Sequence, residues 1–370
     1  MKKMAKNLLE ICLSPDLGGL ELYMVRAAKA MNDDFNLVSV INQNSKIEQY
    51  YENTEYKYEK INRKGSFSFF NSIKLAKIID KYKIDIIHMH WTKDIPIVVL
   101  AKLLSKQKPK IVQTRNMNMT RFKDDFYHRF LYKNIEMMLA VTYKVKEQIE
   151  KFIPIDIRPK VEVLYMGSDK PELLSDKDIL EYRENLGLNK DEFLVTLVGR
   201  IEEAKGQHLL IEAAQKLKDF NIPAKIFFVG HAMKESYLEE LKAKVKEKNL
   251  EDDVVFYGFT KNPHNFMQAS DVVVLATDCE TFGLVVIEAM QVGTPALATN
   301  ACGPLEMIEH EKSGLLFEKN SSDDIFIQIK KLYDNPTLAK EISKAGKLRA
   351  EEKFSNTKQF KKLATILEGI

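Results

Sequence analysis

The chain has 370 residues, of which 45% are hydrophobic and 29% are charged, a composition typical of a globular protein with two domains of ordinary size. It has no apolar run of the roughly 20 residues that span a membrane, and Glu10 interrupts the apolar segment Leu8–Leu13, which predicts a first strand rather than a signal peptide. The net charge of +3 is unevenly distributed: residues 1–170 contain 30 Lys and Arg against 20 Asp and Glu, and residues 171–370 contain 26 against 33. The basic first half favours an anionic partner such as an acidic glycan, a nucleic acid or a membrane surface. A dispersed lysine-rich surface would give the same count.

Short apolar runs alternate with amphipathic stretches along the chain, a pattern typical of parallel sheets with crossover helices. The predicted strands of the first half are Leu8–Leu13, Asn36–Ile41, Ile84–His90, Ile111–Thr114, Met138–Val141 and Val161–Leu164. Those of the second half are Leu194–Val198, Lys225–Val229, Val254–Tyr257, Val272–Ala276, Pro295–Ala298 and Leu315–Phe317. Two such sets predict an α/β protein of two doubly wound, Rossmann-like domains facing each other across a cleft, residues 1–170 and 171–354, with a charged divide near residues 167–189.

The loop after the first strand contains the paired glycines Gly18 and Gly19. Glycine lets a backbone come close to a ligand phosphate or sugar, although a Gly-Gly pair is more often only a tight turn. The sequence lacks the Gly-x-Gly-x-x-Gly pattern of dinucleotide oxidoreductases and the Gly-Lys-Ser/Thr signature of phosphate-binding loops. The loop is therefore a candidate ligand contact outside those two classes.

Two histidines, His88 and His90, close the predicted strand Ile84–His90. Alternation along a strand puts both imidazoles on one face, which could mimic a metal-binding pair. No carboxylate or cysteine stands at ligand spacing nearby in the sequence, so we expect no metal there and expect His88 to be a packed histidine.

A cation-rich loop with Arg115, Arg121 and Lys123 follows the next strand. These side chains could bind a phosphorylated or acidic acceptor. Apolar side chains recur behind the loop near helical spacing, which predicts that they pack in the core. They are Phe122, Phe126, Phe130 and Ile135.

The strand Leu194–Val198 ends in Gly199 and Arg200, and Lys205 follows shortly after. Ligands of open α/β sheets bind at the carboxyl ends of strands, so both cations stand where the charge on a diphosphate would need to be offset. The alternative explanation is that Arg200 and Lys205 are exposed and only offset the charges of the neighbouring Glu202 and Glu203.

The segment Asp278–Met290 sets Glu280 and Glu288 on the two sides of a Phe-Gly turn. A buried strand leads in and an apolar helix follows, so Glu280 is predicted in the loop and Glu288 about one turn inside the helix. The two carboxylates are then roughly 10 Å apart, which is wider than the about 5 Å of a retaining glycosidase pair. This spacing suits a ligand with polar ends and an anionic middle over the helix N-terminus, the shape of a nucleotide diphosphate sugar.

The three cysteines, Cys12, Cys279 and Cys302, show no metal-ligand spacing and fit a reducing cytoplasm. Cys279 and Cys302 flank the predicted site, and we expect both to pack as small hydrophobic side chains. An Asp-x-Asp at residues 176–178 falls in the predicted divide between the domains, where coincidence is the better explanation.

The segment around Glu280 and Glu288 resembles the nucleotide-sugar motif of the retaining, metal-independent GT-B glycosyltransferases of glycosyltransferase family 4, in the type that builds bacterial envelope glycans. The Gly-Arg and Lys-Gly pairs at residues 199–206 are similar to a second motif of that family. The resemblance covers nearly the whole chain and is specific in the C-terminal half. It implies a GT-B fold in which the final helix, residues 355–370, crosses back to the first domain.

The resemblance also implies roles for the donor-binding residues. Glu280 would contact the donor sugar, Glu288 would hold the ribose hydroxyls, and the backbone at Phe282, Gly283 and Leu284 would meet sugar and phosphate.

The remaining roles follow in the same way. Arg200 and Lys205 would stabilise the diphosphate, and His90 would contact the sugar near its anomeric carbon. Gly18 and Gly19 would form the N-terminal glycine loop. The base would bind near Gly230 and Phe259.

The activity implied is transfer of a sugar from a nucleotide diphosphate sugar, a UDP-sugar favoured, to a hydroxyl with retention and without metal or other cofactor. The expected acceptor is an anionic or lipid-linked glycan, and nucleic acid is not an expected partner. The expected location is the cytoplasm, with peripheral contact to the inner membrane face through the basic N-terminal domain. Gln113, Asn116 and the Met166–Asp169 turn depart from the family pattern and leave subfamily and acceptor open. A nucleotide-sugar epimerase of the same fold, a two-domain oxidoreductase and a non-catalytic sugar-binding scaffold remain alternatives.

Overall fold

Two parallel β-sheets carry the fold of the computed structural model, which describes residues 5–63 and 68–370. One compact unit comprises the described residues up to Tyr165 together with Thr357–Ile370, and the other comprises Met166–Asn356. Each unit contains one of the sheets, as the alternating apolar and amphipathic segments predict.

The first unit has seven strands in the described part of the chain, connected by helices. The strands are β1 (Asn7–Cys12), β2 (Asn36–Asn42), β3 (Tyr58–Ile61), β4 (Ile86–Met89), β5 (Lys110–Arg115), β6 (Met137–Ala140) and β7 (Lys160–Val163). The helices are α1 (Gly19–Met31), α2 (Phe69–Lys81), α3 (Ile95–Leu104), α4 (Phe126–Tyr132) and α5 (Tyr143–Phe152).

The second unit has six strands and the larger share of the helices. The strands are β8 (Phe193–Val198), β9 (Ala224–Val229), β10 (Val254–Gly258), β11 (Val272–Leu275), β12 (Ala296–Thr299) and β13 (Leu315–Phe317). The helices are α6 (Asp176–Asn185), α7 (Gln207–Asp219), α8 (Glu235–Glu247), α9 (Pro263–Ala269), α10 (Leu284–Val292), α11 (Pro304–Met307), α12 (Ser322–Asp334) and α13 (Pro336–Lys353). A last helix, α14 (Asn356–Gly369), follows.

Both sheets have the doubly wound strand order. The first runs β3-β2-β1-β4-β5-β6-β7 and the second runs β10-β9-β8-β11-β12-β13. In each sheet the order reverses beside the first strand of that unit, between β1 and β4 and between β8 and β11. Ligands of open α/β sheets bind at such reversal points, outside the carboxyl ends of the strands.

The predicted strands are all present, with bounds that move by at most two residues. The sequence missed β3, which has the adjacent charged residues Glu59 and Lys60 in its middle and lies at the sheet edge beside β2. Edge strands commonly carry charge, which weakens the apolar signal that identifies strands in a sequence.

The prediction that Phe122, Phe126 and Phe130 pack in the core is wrong. Their exposed fractions are 63%, 88% and 44%, whereas Ile135 is buried as predicted. Helix α4 has seven residues, and it buries Leu131 and Tyr132 instead. Only Phe126 and Phe130 lie on the helix, where they share its exposed side, and Phe122 precedes it.

The charged stretch predicted as a divide contains helix α6, which packs through Tyr182 onto Phe266 at 5.4 Å between ring centroids. Asp178 forms a capping box with Ser175 at the start of this helix, so the Asp-x-Asp has a structural explanation. Over residues 5–63 and 68–370, no helix combines the length and apolar character needed to cross a membrane.

Most of helix α14 belongs to the first unit. The ring of Phe360 lies 5.4 Å from that of Tyr23, and Lys6 Nζ donates a hydrogen bond to the carbonyl oxygen of Glu368 at 2.8 Å. The end of the chain therefore packs against the unit that contains its beginning.

Candidate active site

A cation and a carboxylate meet at the reversal point of the second sheet. Lys205 follows β8 and Glu280 follows β11, the neighbouring strand, and Lys205 Nζ lies 2.9 Å from Glu280 Oε2. Both side chains are partly buried, with exposed fractions of 21% and 26%. The structure therefore brings together two residues that stand 75 positions apart in the sequence.

A glycine allows this approach. Gly206 has φ of 72°, and a Cβ there would lie 2.3 Å from the carbonyl oxygen of Ala276, at the end of β11. Only glycine fits this close contact in the left-handed region. The Lys-Gly pair thus has a physical reason, because Gly206 lets the loop that carries Lys205 pack against the end of the strand that leads to Glu280.

Arg200 lies more openly on the same loop. Its guanidinium is 53% exposed and contacts Glu202 at 2.8 Å. Gln207 Nε2 donates a hydrogen bond to the Arg200 carbonyl oxygen at 2.9 Å, which holds the main chain of the loop. A cation with this exposure is accessible to an anionic ligand, and its Glu202 partner screens it until one binds.

The turn before α10 is also closely packed. Gly283 caps the helix with φ of 99°, and Phe282 is buried, its ring 6.1 Å from that of Phe354. A Cβ on Gly303 would lie 2.5 Å from the Phe282 carbonyl oxygen. This packing fixes the loop that ends at Leu284, the first residue of α10. Glu288 lies one turn further along the helix and is partly exposed.

The predicted base-binding residues lie beyond β9 and β10. A Cβ at Gly230, which has φ of 155°, would be 1.9 Å from the Gly199 carbonyl oxygen, so no other residue fits. Gly230 N donates to the carbonyl oxygen of Gly258 at 2.8 Å. The ring of Phe259 is 69% exposed beside these loops, which makes it accessible for stacking.

A buried cluster that the sequence did not predict occupies the first unit. Glu10 from β1 accepts hydrogen bonds from His88 Nδ1 at 2.8 Å and from His90 Nε2 at 2.5 Å. His88 Nε2 lies 2.7 Å from the hydroxyl of Thr114. The spacing along the sequence did not reveal this carboxylate, since Glu10 reaches the two histidines across paired strands.

The charge state of this cluster follows from burial and pairing. Burial by itself would raise the pKa of Glu10, but attraction by His88 and His90 and their hydrogen bonds outweigh it and lower that pKa to about 2. Burial lowers the pKa of His90. Glu10, His88 and His90 lie close enough together to hold a metal ion, but their ligand atoms already form hydrogen bonds with one another, except His90 Nδ1, which has no hydrogen-bond partner.

Other predicted residues of the first unit differ in exposure. Gly18 and Gly19 are exposed after β1, and neither has a positive φ. Arg115 is buried, which lowers its pKa, and its guanidinium donates to the carbonyl oxygens of Met117 and Asn118. It therefore braces its own loop.

Two family models match the chain. The model described as glycosyl transferase 4-like matches residues 10–148, and the model described as glycosyl transferases group 1 matches residues 178–349. The first match extends from within β1 to beyond β6, and the second covers all six strands of the second sheet. The chain is a GT-B glycosyltransferase.

Individual relatives are distant. The uncharacterized glycosyltransferase MJ1059 of Methanocaldococcus jannaschii is 27% identical over 64% of this chain and only 60% of its own length. The capsular polysaccharide biosynthesis glycosyltransferase CapM of Staphylococcus aureus is 26% identical over 77% of this chain and 76% of its own. Among solved structures, Anabaena Alr3699/HepE in complex with UDP is 21% identical and covers 98% of this chain and 100% of its own, with a TM-score of 0.86. This similarity concerns the fold.

The cysteines of the glycosyltransferase depart from the prediction. Cys279 and Cys302 form a disulfide instead of packing as hydrophobic side chains, and Cys279 is exposed. The bond joins the loop of Glu280 to the turn before α11, where Gly303 N also donates to the Glu280 carbonyl oxygen at 2.9 Å. Proximity in the fold, which spacing alone does not reveal, creates this pair.

Replacing Cys302 with serine is expected to lower the free energy of unfolding by about 3 kcal/mol in oxidising buffer, because the bond closes a loop with a sequence separation of 23 residues. Urea unfolding with and without excess dithiothreitol measures this effect. Wild type and Cys302→Ser should converge under reduction, since exposed disulfides are readily opened by thiols. A difference that persists under reduction would show that the side chain acts through packing.

Proposed function

We propose that this glycosyltransferase transfers a sugar from a nucleotide diphosphate sugar, a UDP-sugar favoured, to a hydroxyl of a glycan acceptor with retention and without a metal. The observation that carries the proposal is the Lys205–Glu280 pair at the reversal point of the second sheet, beside the start of α10. A cation and a carboxylate beside a helix N-terminus support the proposal, because the free N–H groups there attract the anionic part of such a ligand.

The chemical step is a front-face substitution. The bond between the anomeric carbon and the donor phosphate oxygen breaks, the bond to the acceptor oxygen forms on the same face, and the acceptor proton passes to the departing phosphate. Lys205, Arg200 and the α10 N-terminus stabilise the charge that develops on the diphosphate. Lys205 gives up its contact with Glu280 in this step, which leaves that carboxylate to bind sugar hydroxyls.

The other proposed donor contacts are those that the family resemblance implies. Glu288, partly exposed on α10, holds the ribose hydroxyls, and the base lies near Gly230 and the exposed ring of Phe259. In the first unit, the buried His90 contacts the sugar and the Gly18-Gly19 loop offers its backbone.

The proposed acceptor is an anionic or lipid-linked glycan of bacterial cell-envelope polysaccharide or lipopolysaccharide synthesis, in line with the name of the relative CapM. Arg121 and Lys123, at the surface of the first unit, would receive its negative charge. A lipid-linked acceptor places the enzyme at the cytoplasmic face of the membrane, in peripheral contact with it, and nucleic acid has no part in this function.

A thermal shift assay with UDP, GDP, ADP, CMP and NAD, first without added metal and then with EDTA, tests the donor site. We expect one nucleoside diphosphate, UDP first, to raise the Tm by several degrees, since a ligand at 100 times its Kd adds about 2.7 kcal/mol. Phe259→Ala should reduce this shift, and Leu180→Ala, an exposed control on α6, should not.

A shift with NAD alone, or one abolished by EDTA, would contradict this assignment of Lys205, Arg200 and Glu280. Turnover of the nucleotide sugar without any acceptor would instead identify an epimerase.

A further inference from the structure

A disulfide lies in the loop of the second unit that contains Glu280. We call residues 278–284 the donor loop. Cys279 follows β11 and precedes Glu280 by one residue, and its partner Cys302 follows β12. Because β11 and β12 are paired in parallel, their carboxyl ends meet at the edge of the sheet where ligands of open α/β sheets bind. The bond therefore joins two loops at the candidate site instead of two elements of the core.

The turn at Cys302 supports the donor loop through its backbone. Gly303 N donates a hydrogen bond to the Glu280 carbonyl oxygen at 2.9 Å. A Cβ at Gly303 would lie 2.7 Å from the carbonyl oxygen of Thr281 and 2.5 Å from that of Phe282. Three successive residues of the donor loop thus rest on this turn, so a displacement of the turn moves the backbone that carries the Glu280 carboxylate.

The backbone of Cys302 itself needs an external restraint. Its φ of 57° lies in the left-handed region, which residues other than glycine occupy only when their surroundings hold them there. The bond to Cys279 is one such restraint. Opening the bond releases Cys302 toward the ordinary backbone regions and, through Gly303, loosens the donor loop.

The rest of the segment that the bond encloses is held by the core. Helix α10, between the two cysteines, buries Val286, Ile287 and Met290. Helix α13 packs on it, where a Cβ at Gly346 would lie 3.3 Å from Met290 Cγ. Opening the bond should therefore leave α10 in place. Its effect falls on the two loops at the ends of the segment, whose residues are mostly exposed or partly buried.

The bond is accessible to an incoming thiol, whereas the third cysteine is not. Cys279 is exposed and Cys302 is partly exposed. Cys12 is buried in β1, and burial raises the pKa of its thiol, which keeps that thiol protonated and unreactive. Exposed disulfides exchange readily with thiols, and those of reducing compartments are mostly transient. The thiol chemistry of this chain is therefore confined to Cys279 and Cys302.

We propose that Cys279 and Cys302 form a redox-modification site whose state sets the affinity of the donor loop for its nucleotide ligand. A dithiol reductant opens the bond. Its thiolate attacks the Cys279 sulfur, Cys302 leaves as a thiolate and takes up a proton, and the second thiol of the reductant then displaces Cys279. Two electrons and two protons pass to the pair, and the reductant leaves as a disulfide. The inference rests on the proposed function in one respect, that the donor loop binds the nucleotide sugar.

The oxidised state is the one that binds the donor. The disulfide, the hydrogen bond from Gly303 to Glu280 and the contact of Glu280 with Lys205 at 2.9 Å together hold the donor loop in a single arrangement. With the disulfide open, the loop occupies this arrangement for only part of the time, and the apparent Kd rises in inverse proportion to that fraction. A fraction of about one tenth corresponds to about tenfold weaker binding.

Hydrogen–deuterium exchange and calorimetry on the full chain, oxidised in air or reduced with excess dithiothreitol, test the proposal. Alkylation of an aliquot, followed by mass spectrometry, should label Cys279 and Cys302 only after reduction. Reduction should speed amide exchange at residues 280–284 about tenfold and leave the exchange at residues 287–292 unchanged. The Kd for UDP should rise about tenfold on reduction.

Two variants control for effects of the reductant itself. Cys279→Ser cannot form the bond, and its exposed position leaves the core intact, so it should show the exchange and the UDP affinity of the reduced state in both buffers. Cys12→Ala removes the thiol outside the pair and is the matched control. It should keep the full response of wild type to dithiothreitol.

Three results would each overturn the proposal: alkylation of both Cys279 and Cys302 before reduction, unchanged exchange at residues 280–284 on reduction, or UDP binding with the same Kd in both states. The exchange data separate this inference from the proposed function. Faster exchange of the donor loop on reduction, with no UDP binding in either state, would contradict the donor assignment and support redox control of the loop.

Discussion

Replacing Lys205 with alanine is expected to lower kcat by about a hundredfold or more while the donor KM changes little. Lys205 is the partly buried cation nearest Glu280, and its proposed role is to stabilise charge that appears on the diphosphate only as the sugar departs. Removing one such preorganised donor typically costs 10² to 10³ in kcat. Steady-state kinetics with varied nucleotide sugar measures both constants.

Glu288→Ala is the matched comparison, because Glu288 is proposed to hold the ribose equally in the ground and transition states. It should mainly raise the donor KM. Lys205→Arg, which keeps the charge but not the shape, should recover part of kcat. The reverse pattern, with Lys205→Ala acting on KM and Glu288→Ala on kcat, would refute the assignment of roles.

Replacing Glu10 with alanine is expected to lower the free energy of unfolding at pH 7 by about 3 kcal/mol. The change leaves His88 and His90 buried without the carboxylate that accepts their hydrogen bonds, and removing one partner of a buried pair typically costs 3 to 5 kcal/mol. Urea unfolding at constant pH gives the value, with Glu10→Gln as the isosteric variant that keeps one acceptor oxygen. Equal unfolding midpoints for wild type and Glu10→Ala would show that the cluster adds no stability.

The same cluster predicts a pH dependence. The pKa of Glu10 is lowered from 4.5 to about 2, so its contribution is complete above about pH 4.5 and is lost as the pH falls toward 2. The pKa of His90 lies below its ordinary 6.5, so protonation below that pH also favours the unfolded chain. Wild type should lose stability steadily below pH 6.5, and Glu10→Ala should show a shallower loss between pH 4.5 and 2.

The sequence predicted the strands well because most of them are short, largely apolar segments, and burial of both faces of a parallel sheet favours such segments. It failed where the physical cause lay outside the local segment. Phe122, Phe126 and Phe130 have the spacing of a core stripe, but periodicity identifies only a shared face. Periodicity does not tell which face of the helix is buried. Helix α4 buries the face with Leu131 and Tyr132 and leaves Phe126 and Phe130 exposed.

The spacing of residues along the sequence also failed to predict contacts between distant segments. Glu10 was noticed only as an interruption of an apolar run, yet it reaches His88 and His90 because β1 pairs with β4 in the sheet. Cys279 and Cys302 carry no signature of a disulfide, and they meet because Gly303 packs against the backbone of Phe282.

The sequence by itself determined the fold class and which residues are candidates for the donor site, since apolar periodicity and the residue types around Arg200 and Glu280 are local properties of the chain. The tertiary structure alone decided which side chains touch. It joined Lys205 to Glu280 through the close packing at Gly206, and it left Phe126 and Phe130 exposed. The reason is physical: sequence fixes which face a side chain occupies, but contact and burial depend on what the rest of the chain brings to that face.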